Sequence, residues 1–120
     1  MSQGLRTIQP HDLAAELDRL NSERRIIEQA VSAAFHVVRD ELWTATRGSP
    51  STAFARQVAM YLAHVGCGLT LTEVGRLFAR DRTTVAHACS LVEDRREEPP
   101  FDRALELLEG AMRLSIPHFA

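Results

Sequence analysis

Apolar residues recur at three- and four-residue spacings along almost the whole chain, and nowhere do they alternate over a length that would build a strand. That period leaves helices as the repeating element and an all-α architecture as the expected fold class. Leu13, Leu17 and Leu20 form one such stripe, behind Pro10 and Asp12, residues suited to a first helical turn. Ile27, Val31, Ala34, Phe35 and Val38 form a second, followed by a short helical turn over Asp40-Glu41-Leu42-Trp43. Asn21-Ser22 sits between the stripes as a break or a new cap. Were the stripes continuous they would form a coiled-coil-like seam interrupted by Arg24. Residues 1–24 are thus read as an N-terminal helical arm, open to a hairpin or to homodimerisation, and residues 25–120 as a domain.

Thr44 to Thr52, with Gly48-Ser49-Pro50-Ser51, reads as a linker. Beyond it Val58, Tyr61, Leu62 and Val65 mark a helix that ends before Gly66-Cys67-Gly68, where glycine suits a left-handed cap. Thr72 is placed to cap the next helix, with Val74, Leu77 and Phe78 inward. A tight polar segment, Arg80-Asp81-Arg82, leads into a helix from about Thr83 to Arg95, with Val85, Ala88, Cys89 and Val92 inward. Pro99-Pro100 stops it, and a last helix from about Asp102 to Arg113 buries Phe101, Leu105, Leu108 and Met112. The expectation is a compact helical bundle containing a helix-turn-helix.

At 120 residues, 45% hydrophobic and 25% charged, the chain has material for one modest core. No apolar run reaches membrane-spanning length, and the N-terminus has no apolar secretory stretch, so cytoplasm is the expected location. Two cysteines, Cys67 and Cys89, make no disulfide framework. His64, Cys67, His87 and Cys89 imitate a metal-ligand spacing. His87 and Cys89, however, lie two apart on one helix and point in different directions, so no metal or cofactor is expected. His64, Cys67 and Asp81 supply no spacing that would fix a catalytic triad, and an enzyme is not expected.

All 14 basic residues are arginine, and the net charge is −2. Residues 44–92 carry five arginines against two acids, between two acidic flanks. That local excess suits a phosphate-bearing partner. On the expected second helix of the helix-turn-helix, Thr83, Thr84, His87 and Ser90 face outward, where hydroxyls and methyls can read base edges and free amides can hold a phosphate.

Three blocks carry a family resemblance: Arg56-Gln57-Val58-Ala59-Met60-Tyr61-Leu62-Ala63, Leu71-Thr72-Glu73-Val74-Gly75-Arg76-Leu77-Phe78, and Arg80-Asp81-Arg82-Thr83-Thr84-Val85-Ala86-His87-Ala88. In order and spacing they resemble the C-terminal helix-turn-helix domain (domain IV) of the bacterial replication initiator DnaA. Residues Ile27–Trp43 resemble that domain's opening helices, so the likeness covers about residues 25–113. No phosphate-binding GxxxxGK[ST] loop accompanies it. The resemblance implies sequence-specific binding of double-stranded DNA, at initiator boxes, by a small standalone relative active at the nucleoid in chromosome replication initiation. It implies that Asp81, Thr83, Thr84 and His87 face bases or the adjacent backbone, with Arg80 and Arg82 beside them. It places Arg56 close to phosphates, and Leu71 and Thr72 at the start of a helix resting on the DNA backbone.

Four departures alter that expectation. One residue, Ala79, stands where the family has two glycines between its phenylalanine and the Arg-Asp pair. Arg82 replaces a histidine. Phe54-Ala55-Arg56-Gln57 replaces Arg-Pro-Arg-Gln, whose first arginine reaches a minor groove, and the preceding basic stretch keeps only Arg47. Fewer cations release fewer counterions, so weakened or altered box recognition is expected. The acidic Glu93-Asp94 and Glu97-Glu98 would add repulsion if they lay near the duplex. The same losses suggest an alternative: a protein–protein regulator that engages factors controlling the initiator.

Overall fold

Pro10 occupies the first turn of a single long helix, α1 (Pro10–Phe35), in the computed structural model, which describes residues 9–44 and 49–120. Proline costs nothing there because its missing N–H would have had no helical partner. Asn21-Ser22 neither breaks nor re-caps the helix. Arg19 bonds both Glu16, at 2.5 Å, and Glu23, at 2.9 Å, while Arg24 donates to Glu28 at 2.8 Å. These pairs, three and four residues apart, bracket the polar dipeptide and support continuous helix on either side of it. Leu13 and Leu17 stay half exposed, whereas Ile27 and Val31 are buried. Ala34, still inside α1, and Val38, beyond its end at Phe35, are expected on the same inward stripe but are both exposed. His36 then adopts the left-handed conformation, with φ 55°.

A short 3₁₀ turn, Arg39–Trp43, follows and buries Leu42. Of the expected linker, residues 45–48 lie outside the described residues, and so does Arg47. Helix α2 (Pro50–Tyr61) starts at once, with Ser49 as its cap accepting from the Thr52 N–H at 3.1 Å. Ala55, Val58, Ala59, Met60 and Tyr61 are all buried, so α2 is the axis of the core. Each large side chain removed from water in this way contributes about 1.5–3 kcal/mol. A wider π turn, Leu62–Gly66, extends α2 and turns Val65 outward, against the expectation that it faced the core. Gly68, at φ 75°, supplies the left-handed residue that reverses the chain.

Helices α3 (Leu71–Phe78) and α4 (Arg82–Arg95) follow, with α4 packed along α2 through Val85, Ala88 and Val92. Helix α5 (Pro99–Ser115) begins at the two prolines rather than after them. Helix α4 has already ended at Arg95, and proline suits a first turn better than an interior. Arg96 ties this corner together. It donates to Asp102 at 2.6 Å, to both oxygens of Glu109 at 3.0 and 3.1 Å, and to the Tyr61 hydroxyl at 3.1 Å. That hydroxyl donates in turn to Glu93 at 2.5 Å, and burial pushes the tyrosine up to about 12. Every element is helical, and no strand occurs among the described residues.

Candidate nucleic-acid interface

Trp43 is stacked on Phe78, with ring centroids 4.4 Å apart and planes 15° from parallel. The pair seats the last turn of α3 on the 3₁₀ segment, and such stacking adds about 0.5–1.5 kcal/mol beyond area burial. Above it the chain reverses in three residues. Ala79 takes φ 56° and ψ 47°, the left-handed cap that ends α3. The Arg80 N–H donates to the Gly75 carbonyl at 2.8 Å, and Asp81 already caps α4. One residue in the left-handed region therefore closes the shortened turn.

Helix α3 is capped by Thr70, not by Thr72. Thr70 accepts from the Glu73 N–H at 3.1 Å, and the Glu73 carboxylate accepts from the Thr70 N–H at 2.8 Å. This reciprocal box leaves Thr72 exposed in the first turn, while Leu71 is half-buried. Helix α4 starts at Arg82, one residue before the expected Thr83, because the Asp81 carboxylate accepts from the Thr84 N–H at 2.8 Å. That bond holds Asp81 below the ordinary carboxylate value. Asp81 is thus an ionised cap at the site's centre.

Thr83, Thr84, His87 and Ser90 are all exposed on one side of α4, above the buried Val85, Ala88 and Val92. Cys89 is half-buried, and burial pushes its thiol up to about 11. Beside the helix start, Thr72, Gly75, Arg76, Ala79, Arg80, Asp81 and Arg82 line an open cleft of about 280 Å³. Arg76 and Arg82 are exposed there and make no contact with any acid among the described residues. Sequence reasoning had passed over Arg76. Its signal was a charged residue out of phase with Val74 and Phe78, four residues from Thr72 and so on the same face.

The other two arginines behave differently. Arg80 is half-buried, donating to the Ala79 carbonyl at 3.1 Å and to the Thr44 carbonyl at 3.1 Å. Arg56, expected close to phosphates, is turned inward. It is 8% exposed, and its guanidinium donates to the Leu42 carbonyl and to the Glu41 carbonyl, the latter at 3.2 Å. Burial, and then the charge of Arg80, push its pKa down. The residue fastens α2 to the 3₁₀ turn, and that placement removes it from the freely presented cations.

Glu93 and Asp94 lie ten and eleven residues along α4 from Thr83, about 15 Å of helix rise. The Tyr61 bond further occupies Glu93. No group of three or more potential metal ligands occurs among the described residues. His64 Nδ1 is bonded to the Leu69 carbonyl at 2.6 Å, and Cys67 is buried.

Residues 25–92 match the family described as the bacterial DnaA protein helix-turn-helix. Over 85 residues, 69% of the chain, the sequence is 35% identical to the chromosomal replication initiator protein DnaA of Lachnoclostridium phytofermentans, and the match spans 18% of that relative. The fold matches a crystal structure of a DNA replication initiation factor with a TM-score of 0.79 and 28% identity, over 88% of this chain and 33% of that one. The chain thus spans less than a third of the curated relative's length and about a third of the solved structure's. With its recognition blocks, cap and turn all inside the matched segment, the chain belongs to the bacterial DnaA helix-turn-helix family.

Proposed function

We propose that the chain binds double-stranded DNA by presenting the start of α4 to a major groove, at sites resembling initiator boxes, and so influences chromosome replication initiation from the nucleoid. The observation that carries this reading is the joint exposure of Thr83, Thr84 and His87 beside Arg76 and Arg82, which form no ion pair among the described residues. Hydroxyl, methyl and imidazole groups can contact base edges, Thr72 rests against the backbone, and the two arginines meet phosphates. The positive end of the α4 dipole is offset at this point by the ionised Asp81 that caps it, so the cations of the site are Arg76 and Arg82.

With Arg56 buried and Arg80 engaged on carbonyls, two or three phosphates are neutralised. The affinity should then fall with salt at a log–log slope of about −2 to −3, a shallow dependence. Anisotropy titration of a box duplex and a scrambled duplex, at several salt concentrations, tests the reading. A preference for the box with that slope is expected; equal binding of both duplexes at low salt would reject it.

A second reading is favoured by the inward Arg56: a protein–protein regulator that uses the same scaffold to engage factors controlling the initiator. It expects such factors to be recovered from nuclease-treated lysate by the wild-type chain and by Arg82→Ala alike.

A further inference from the structure

The two most exposed leucines of the described residues lie on one helix: Leu107 is 78% exposed and Leu114 91%. They are two turns of α5 apart, about 10 Å, with Gly110 and Ala111 between them on the same stripe. A Cβ built at Gly110 meets nothing within 4 Å, so a neighbour can approach this face closely. The four stripe positions, 107, 110, 111 and 114, are symmetrically spaced, with a leucine at each end and the small Gly110 and Ala111 between. The core side of α5, carrying Leu105 and Met112, is turned away from it.

We propose that this face seats α5 of a second copy of the chain, in antiparallel packing about a twofold axis between Gly110 and Ala111. In that arrangement Leu107 meets Leu114 of the second copy, and Gly110 meets its Ala111. A closed twofold pair requires such a self-complementary surface. Charge selects the direction. Glu106 and Arg113 are both exposed on the same flank of the stripe. Antiparallel pairing brings Glu106 to within two residues, about 3 Å of rise, of register with Arg113 of the second copy. A parallel pair would instead set this flank against the opposite flank of the second copy, and Glu106 and Arg113 would not meet. The leucine stripe is short, so the association belongs to the weak class of interfaces.

Sedimentation velocity of the whole chain up to ~1 mM, the weak end of measurable association, tests this. A reversible dimer is expected, weakened at least tenfold by Leu107→Glu and by Leu114→Glu, with circular dichroism confirming that the variants fold. Glu106→Arg and Arg113→Glu should each weaken it, and the double exchange should restore it. Wild-type chain that stays monomeric throughout overturns the proposal. So does a dimer that ignores these changes and is lost instead in Leu13→Glu or Leu17→Glu, which would place the contact on the α1 arm. The outcome is independent of box binding, which is read separately by anisotropy.

Discussion

Gly75 lies directly beneath the backbone carbonyl of Arg80: a Cβ at this position would stand 2.4 Å from that oxygen. The contact sets how closely the turn folds back on α3, and with it the direction in which α4 leaves. In an ordinary helix interior, Gly→Ala stabilises by up to about 1 kcal/mol. Here Gly75→Ala should instead destabilise by about 1–3 kcal/mol, because backbone cannot yield as a flexible side-chain tip does. Urea unfolding reads the sign, and a stabilised variant would show that the approach is looser than described.

Ala79 makes the opposite prediction. A residue with a Cβ pays about 1–2 kcal/mol in the left-handed region, and glycine returns part of the gain through its freer unfolded chain. Ala79→Gly should therefore raise stability by about 0.5–1 kcal/mol. The melting temperature should rise by a few degrees with no loss of DNA binding.

Arg56 and Arg82 should separate stability from phosphate contact. Arg56→Ala leaves the Leu42 and Glu41 carbonyls without their donor and should cost about 1–3 kcal/mol. The salt slope of DNA binding should stay unchanged. Arg82→Ala should leave the unfolding midpoint in place and make the slope shallower by about one. Identical effects of the two substitutions on the slope would contradict the inward placement of Arg56.

Asp81 gives the site an acid limb. Its folded-state pKa lies below the ordinary 3.8, chiefly because of the Thr84 N–H bond. Its contribution is therefore complete above that unfolded value and is lost as pH falls through the lower folded one. Asparagine caps a helix about as well without titrating. Asp81→Asn should thus match the wild type at pH 7 and lose less stability below about pH 4. Denaturant titrations at both pH values measure the difference, and parallel losses would remove the cap from the acid response.

The inward and outward faces of α3 and α4 were legible in the sequence. Val74, Phe78, Val85 and Val92 recur at helical spacing, and a helix that buries one face must present the other. The Thr70-Leu71-Thr72-Glu73 segment also held its capping box in plain view, since only Thr70 has a glutamate three residues on. Choosing Thr72 misplaced the start of α3. Asn21-Ser22 misled because local preference there is weaker than the ion pairs and buried Ile27 and Val31 that carry α1 through.

Local pattern determined where helices form, because periodicity and caps are properties of neighbouring residues. It also determined which side of α4 stands ready for a partner. Tertiary structure alone decided what each arginine does. Arg56, Arg80 and Arg82 carry the same charge within one basic stretch, yet the first is drawn onto the carbonyls of a 3₁₀ turn fourteen residues earlier and the last is left in solvent. That division follows from which unpaired carbonyls packing brings within reach, and no spacing along the chain records it.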